Sequence, residues 1–395
     1  MVAGAFLLAS CSTTAPKKEP AVFFPPSPEL PRVQYLTSFT GSKDVEEQSG
    51  FSKFVVGEKR ELKIDKPYGL ALFEGRLYVC DTNSGVLVLD LKSKTFERYT
   101  GAVGPGALMQ PVNIAIEPDG TKYVSDPVRG QVVVYGRDDA YQRAYGDAGS
   151  WRPVDAVPFG DRLYVADSAN GLVKVFDKKT GEVVRLIGDR GEPEERLARP
   201  TNLAFDAEGT LYVSDIGRFQ VVKYDRDGHL RGTVGRLGDN LGHFARPKGI
   251  ALDREGHLFA VDAAFNNVQV FNGEGRLLLF FGGPGEKLGN LLLPAQVAID
   301  YDNLAYFKSY VAPGFDVRFL VLVTSQFGPH RIDVFAYGEE RGRKYPSDDE
   351  LVRQIDELRK KEQAKLFPTN EAPKAAEPTP GVPKPADPPA PPKTP

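Results

Sequence analysis

The chain repeats itself six times, and that repeat limits what it can fold into. Prolines stand at positions 67, 111, 153, 200, 247 and 294, giving spacings of 44, 42, 47, 47 and 47 residues. The clearest copies read R-P-T-N-L-A-F-D-A-E-G-T-L-Y-V-S-D over 199–215 and R-P-K-G-I-A-L-D-R-E-G-H-L-F-A-V-D over 246–262. Others begin at Lys66, Gln110 and Arg152, and the sixth begins at Leu293. A period of roughly 40–50 residues, made of short apolar runs broken by turn residues, predicts propeller blades.

Each copy resolves into four strands. In the fifth these are Gly249–Leu252, His257–Val261, Asn267–Phe271 and Leu277–Phe281. Ile250 and Leu252, then Val268 and Val270, alternate as the buried face of a stacked sheet should. Gly120, Gly209 and Gly256 recur at the first hairpin turn, where backbone freedom is needed. The sixth copy ends on a third strand, Arg331–Phe335, and then turns polar at Glu339 and Glu340. Val33–Phe39 ends at Gly41, as fourth strands elsewhere end at Gly101, Gly146, Gly188, Gly235 and Gly282. Residues 33–39 are therefore expected to complete blade six and close the ring, which leaves no sheet edge open.

The pattern resembles the NHL-repeat family of β-propellers. The fifth copy carries the likeness best, from Gly238-Asp-Asn-Leu-Gly242 through Phe244, Arg246, Pro247 and Gly249 to Asp253. The resemblance implies an all-β, six-bladed propeller of NHL type over residues 33–345, with the N-terminal strand closing the last blade. Some propellers of this kind are zinc lyases, whose His ligands converge on the channel. His229, His243, His257 and His330 are scattered over turns and loops and do not match that set. Lactonase-like relatives hold a divalent ion with Glu, Asn and Asp. Here Asn113, Asp155, Asn202 and Gln296 each stand two residues after a blade proline and are placed at the channel mouth. One carboxylate among amides is a thin donor set for a hard cation. No metal or other cofactor is expected.

The most repeated polar residue closes the second strand, as Asp81, Asp126, Asp167, Asp215 and Asp262. A residue present in blade after blade suits a structural task, since Asp readily bonds backbone N–H groups in turns. There is no G-x-S-x-G, no P-loop, no H-x-x-x-H and no C-x-x-C. Lys plus Arg at 50 against Asp plus Glu at 53 gives no basic field, which argues against nucleic acid as the partner. Cys80 lies in a second strand and is read as a buried small hydrophobe.

Both ends leave the repeat. Leu8-Ala9-Ser10-Cys11 resembles the bacterial lipobox, which implies cleavage before Cys11 and acylation of it. No Lys or Arg precedes Cys11, so the true start is expected upstream of Met1. Residues 1–11 are thus the end of a lipoprotein signal, and the Pro-rich stretch 12–32 a spacer. Ser12 and Thr13, with no Asp there, fit an outer-membrane address. Beyond the propeller, Ser347 is a candidate N-cap for an amphipathic helix over 346–367, with Leu351, Ile355 and Leu358 as its apolar stripe. The tail 368–395 is Pro-rich and is read as disordered.

Partner contacts are sought on the loops at one end of the blades. Trp151, Arg129, Arg218 and Phe265 lie there, and Trp and Arg are enriched at binding hot spots. Copy six also carries an aromatic-rich insertion over 303–319, with Tyr306, Phe307, Tyr310 and Phe315; it either docks a partner or folds back under the ring. The combined reading is a lipid-anchored, non-catalytic scaffold that binds a protein in the bacterial envelope. The alternative is a metal-dependent propeller enzyme of lactonase or lyase type, with its site at the channel mouth.

Overall fold

Each copy of the repeat forms one antiparallel sheet, and a computed structural model describes residues 20–46, 61–147 and 149–366, with side chains to residue 361. Cys11 and the tail 368–395 lie outside the described residues. In blade five the strands are Pro247–Leu252, Leu258–Asp262, Asn267–Phe271 and Leu277–Gly282. Ile250 faces Ala260, and Val261 faces Val268 across the sheet. Both faces of the sheet are buried. Ile250, Leu258 and Phe271 pack with Tyr212 and Val221 of blade four. Phe259, Val261 and Val270 pack with Val321, Val323 and Phe335 of blade six. Burial of one such large side chain contributes about 1.5–3 kcal/mol.

The ring closes as the sequence predicts. Val33–Phe39 pairs antiparallel with Ile332–Glu340, setting Tyr35 opposite Phe335 and Phe39 opposite Ile332. The spacer, however, is not free up to residue 32. Phe23–Phe24 adds a fifth strand to blade six, pairing with Val33 and Gln34. Phe23 packs on Phe315 at 5.4 Å between ring centroids, and Phe24 on Phe281 and Phe335 at 6.3 Å each. Two adjacent phenylalanines outweigh the prolines around them, though they carry no periodicity to flag a strand.

The repeated Asp does structural work. Asp215 accepts the N–H of Ala198 at 2.6 Å, Arg199 at 2.9 Å, Gly217 at 2.9 Å and Arg218 at 3.1 Å. It ties the loop before its blade's innermost strand to the turn after the second. Asp81, Asp126, Asp167 and Asp262 make the same kind of clamp. In blade six Ser325 stands there instead, and Asn266 of blade five accepts the Leu293 N–H at 2.8 Å.

The insertion of copy six divides. Leu304–Tyr310 is a short 3-10 helix, and from Phe315 the chain already runs in the long strand Phe315–Ser325. The C-terminal helix α1, Asp348–Leu366, starts at Ser347 with reciprocal bonds: Ser347 N–H to Glu350 Oε2 at 2.8 Å, and Glu350 N–H to Ser347 Oγ at 3.4 Å. Ile355 packs on blade five, but Leu358 is exposed. Polar ties set that rotation: Arg276 pairs with Asp356 at 2.6 Å, and Arg359 donates to the Leu241 carbonyl at 2.6 Å. Among the described residues, no helix is long and apolar enough to cross a membrane.

Truncation tests the closure. A chain beginning at Pro31 should lose about 2–3 kcal/mol with Phe23 and Phe24. One beginning at Gly41 should lose more and aggregate through the exposed edge of Ile332–Glu340. Equal melting temperatures for these and the longer chain would show that the N-terminal strands do not hold the ring.

Candidate functional site

The innermost strands surround the propeller axis, and each carries an equivalent residue two positions after its blade proline. Around the ring these are Gly69, Asn113, Asp155, Asn202, Gly249 and Gln296. The two glycines are required by their neighbours. A Cβ at Gly69 would lie 2.6 Å from Asn113 Cα, and one at Gly249 would lie 2.4 Å from Gln296 Cα. Asn202 Nδ2 reaches Gln296 Oε1 across the intervening Gly249 at 3.4 Å. Asn113 Nδ2 donates to the Val154 carbonyl at 2.9 Å. Asp155 accepts the Ala156 N–H at 2.9 Å with one oxygen and the Leu203 N–H at 2.8 Å with the other. Burial raises its pKa to about 7 against those two bonds. Asn113, Asp155 and Asn202 are buried and Gln296 is half-buried, so they form a polar layer inside the axis and do not rim an open mouth. The Oδ1 atoms of Asn113 and Asn202 are buried without a hydrogen-bond partner.

Above this layer lies the ring of residues that precede the prolines: Lys66, Gln110, Arg152, Arg199, Arg246 and Leu293. The Asp clamps hold their backbones, while the side chains of Lys66, Arg152, Arg199 and Arg246 are exposed. Among the described residues none of these four side chains forms an ion pair. Lys248, one residue after the blade-five proline, is buried beneath them; its ammonium lies 5.0 Å from the Tyr68 ring centroid and 3.3 Å from Gln326 Oε1. Burial, then the charges of Arg246 and Lys66, push Lys248 down to about 8. Burial and Asp155 push Tyr68 up to about 12, against the charges of Arg246 and Arg199. Residues of blades one, four and five thus feel one another's charge at the mouth. The sequence reading missed this ring. Its signal was the basic residue in the recurring R-P, which served only to phase the repeat.

The residues expected to meet a partner have different surroundings. Trp151 is buried; its Nε1 donates to the Gly130 carbonyl at 2.8 Å and its ring packs on Phe176 at 5.7 Å. Arg129 donates to Gln131 Oε1 at 2.6 Å and to the carbonyls of Pro105 and Ala107. Arg218 binds the carbonyls of Pro193, Glu194 and Arg196. Both arginines therefore staple loops of their own propeller. Phe265 is half-buried. In the insertion, Phe307 and Phe315 belong to the core, while Tyr306 and Tyr310 stay exposed. The loop face instead exposes Met109, Val128, Leu237 and Phe327.

Among the described residues, one group has ligand types that suit a metal: Asp253, Glu255 and His257, at a blade-five turn. The histidine is already committed. Its Nδ1 meets Asp253 Oδ2 at 2.8 Å and its Nε2 meets Asp348 Oδ2 of helix α1 at 3.0 Å. Burial pulls its pKa down, but the bonds and charges of Asp253 and Asp348 outweigh that and raise it to about 9. A protonated imidazole has no lone pair to give a metal. At the same end of the ring as this turn, opposite the loop face, a groove of about 780 Å³ runs between blades four and five, past Asp206, Lys223, Asp225, Arg226 and Arg231. Cys80 is fully buried, and burial holds its thiol well above the usual range.

No protein-family model matches the chain, and no curated protein matches it in sequence. Solved structures do match. An auxiliary nutrient-binding protein of Bacteroides thetaiotaomicron aligns with a TM-score of 0.53, at 12% identity, over 70% of this chain and 70% of that one. A Bacteroides thetaiotaomicron protein of unknown function aligns at 0.52, with 15% identity over 77% and 75%. A gluconolactonase of Xanthomonas campestris aligns at 0.50, with 16% identity over 78% and 98%. Identities this low show the fold alone: the chain is a six-bladed β-propeller.

His257 makes helix docking depend on pH. Its pKa is raised on folding, so its contribution is full below the ordinary value of 6.5 and fades as pH rises through about 9. Stability measured by urea unfolding should fall over that window, and His257→Gln should flatten the fall. An unchanged pH profile in the variant would remove the latch.

Proposed function

We propose that this protein is a lipid-anchored propeller of the bacterial envelope that binds a protein partner and performs no reaction on it. The observation that carries this reading is the state of the axis. Apart from the Oδ1 atoms of Asn113 and Asn202, the polar side chains of the axial layer are spent on one another and on the backbone, whereas unpaired cations and exposed apolar side chains gather on the loop face. A nutrient-binding fold neighbour fits binding without chemistry. Leu8-Ala9-Ser10-Cys11 supports an acylated Cys11, and Ser12 and Thr13 support an outer-membrane address. Two or more acyl chains give stable anchoring, at about 0.8 kcal/mol per buried CH₂. In a chain carrying its full signal, Cys11→Ala should shift the protein from the membrane to the soluble fraction. Retention on membranes would remove the anchor.

The orphan Oδ1 atoms of Asn113 and Asn202, with Asp155 in the same layer, favour one second reading: a propeller enzyme with a cation in its axis. The donor set fits poorly. A hard divalent ion takes about six to eight oxygens, and both Asp155 oxygens already hold backbone N–H groups. Two buried waters would satisfy the amide oxygens equally well. Elemental analysis of purified protein is therefore expected to find no stoichiometric metal. One metal per chain, lost on Asp155→Ala together with a lactonase or lyase activity, would replace the binding reading with the enzyme.

A further inference from the structure

Among the described residues two lysines are deeply buried, and their surroundings differ. Lys122 is 1% exposed and fully provided for: its ammonium donates to the Gly120 carbonyl at 3.1 Å and the Gly136 carbonyl at 2.9 Å, and pairs with Asp139 at 2.8 Å. Lys248 is 5% exposed, and its three N–H donors meet one amide oxygen, Gln326 Oε1, at 3.3 Å, and the face of Tyr68. A buried ammonium this poorly paired is costly to hold. The cost rises because Lys66 and Arg246 add like charge above it. Asp155, the carboxylate of the axial layer, is spent on backbone N–H groups. One change relieves all of these at once: an anion at the mouth.

We propose that the axial mouth is a carboxylate-binding site, where Lys248 and the ring of Lys66, Arg152, Arg199 and Arg246 receive the acidic groups of the ligand. The assignment rests on the binding reading above. Arginine forks suit a carboxylate's two oxygens. Exposed Met109, Leu237 and Phe327 on the same face give a protein ligand apolar contacts beside the charged centre. The source of the carboxylates is therefore an acidic segment of the partner, with a free polycarboxylate as the other source of the same chemistry.

Fluorescence anisotropy with labelled hexaglutamate tests this. Binding is expected at low salt, weakening as the screening length falls to about 10 Å near 0.1 M; labelled hexalysine should not bind. Arg199→Glu with Arg246→Glu should weaken hexaglutamate by about tenfold or more. Their side chains are exposed and the Asp clamps use only their backbone, so the fold should hold. Lys248→Met should weaken it too, with the melting temperature unchanged or raised. Lys92→Glu, Lys179→Glu and Lys308→Glu together reverse exposed charges at the opposite end and should change it by about twofold at most. Equal loss in that control, no binding at all, or tighter binding of a single-stranded RNA of equal charge would overturn the site. Competition by citrate at equal carboxylate concentration would support it and assign the free anion as its source; failure of citrate to compete assigns the acidic segment. Envelope cross-linking separates this inference from the reading beneath it. Partners recovered equally by wild type and the Arg199/Arg246 variant remove the carboxylate site and leave the binding propeller. Partners recovered by neither remove both.

Discussion

The interaction on which the rest depends is a buried carboxylate at the end of the second strand in five of the six blades. Asp215 and its counterparts collect N–H groups from two loops that would otherwise splay apart at the top of the blade. Buried N–H groups left unpaired cost about 1–3 kcal/mol each, so one side chain with four such bonds fixes both loops. The clamp acts on backbone only. It therefore sets where the residue before each proline sits while leaving its side chain free to vary. That is how one repeat can present Lys66, Gln110, Arg152, Arg199, Arg246 and Leu293 at equivalent places around the mouth. Blade six, with Ser325 in the Asp position, borrows Asn266 from blade five and so binds its neighbour more tightly to itself.

Below the mouth, space along the axis is shared unequally. Gly69 and Gly249 give up their side chains so that Asn113 and Gln296 can lie across them. Asn202 then spans to Gln296, and the axis fills with amides. A ring closed in this way places recognition at its ends. At one end stand the unpaired cations; at the other, the groove between blades four and five and the exposed Tyr306 and Tyr310.

Periodicity and turn chemistry were legible in the sequence because they are local. The six blades, the closing strand Val33–Phe39 and the Ser347 cap all follow from spacing and residue type. Exposure is not local. Trp151 and Arg218 have the composition of a binding surface, yet the indole N–H finds Gly130 and the guanidinium finds three carbonyls of a neighbouring loop. Phe23 and Phe24 sit among prolines and carry no pattern, but their partners Phe315, Phe281 and Phe335 lie more than two hundred residues away. Asn113, Asp155, Asn202 and Gln296 lie on the strands the spacing predicts, but the room for Asn113 and Gln296 depends on Gly69 and Gly249 in the neighbouring blades.

Charge shows the same limit in a form that bears on function. A net charge of −3 averages over the whole surface and excludes only a protein that is basic throughout. In this fold the averaging hides a separation. The strand-closing carboxylates are buried and bonded to backbone N–H groups, whereas the side chains of Lys66, Arg152, Arg199 and Arg246 are exposed and form no ion pair among the described residues. Each R-P…D copy therefore contributes nearly zero to the sum and still adds positive potential at the mouth. Repeating the motif around a closed ring brings those contributions together, and Lys248 beneath them is the residue on which the crowding falls hardest.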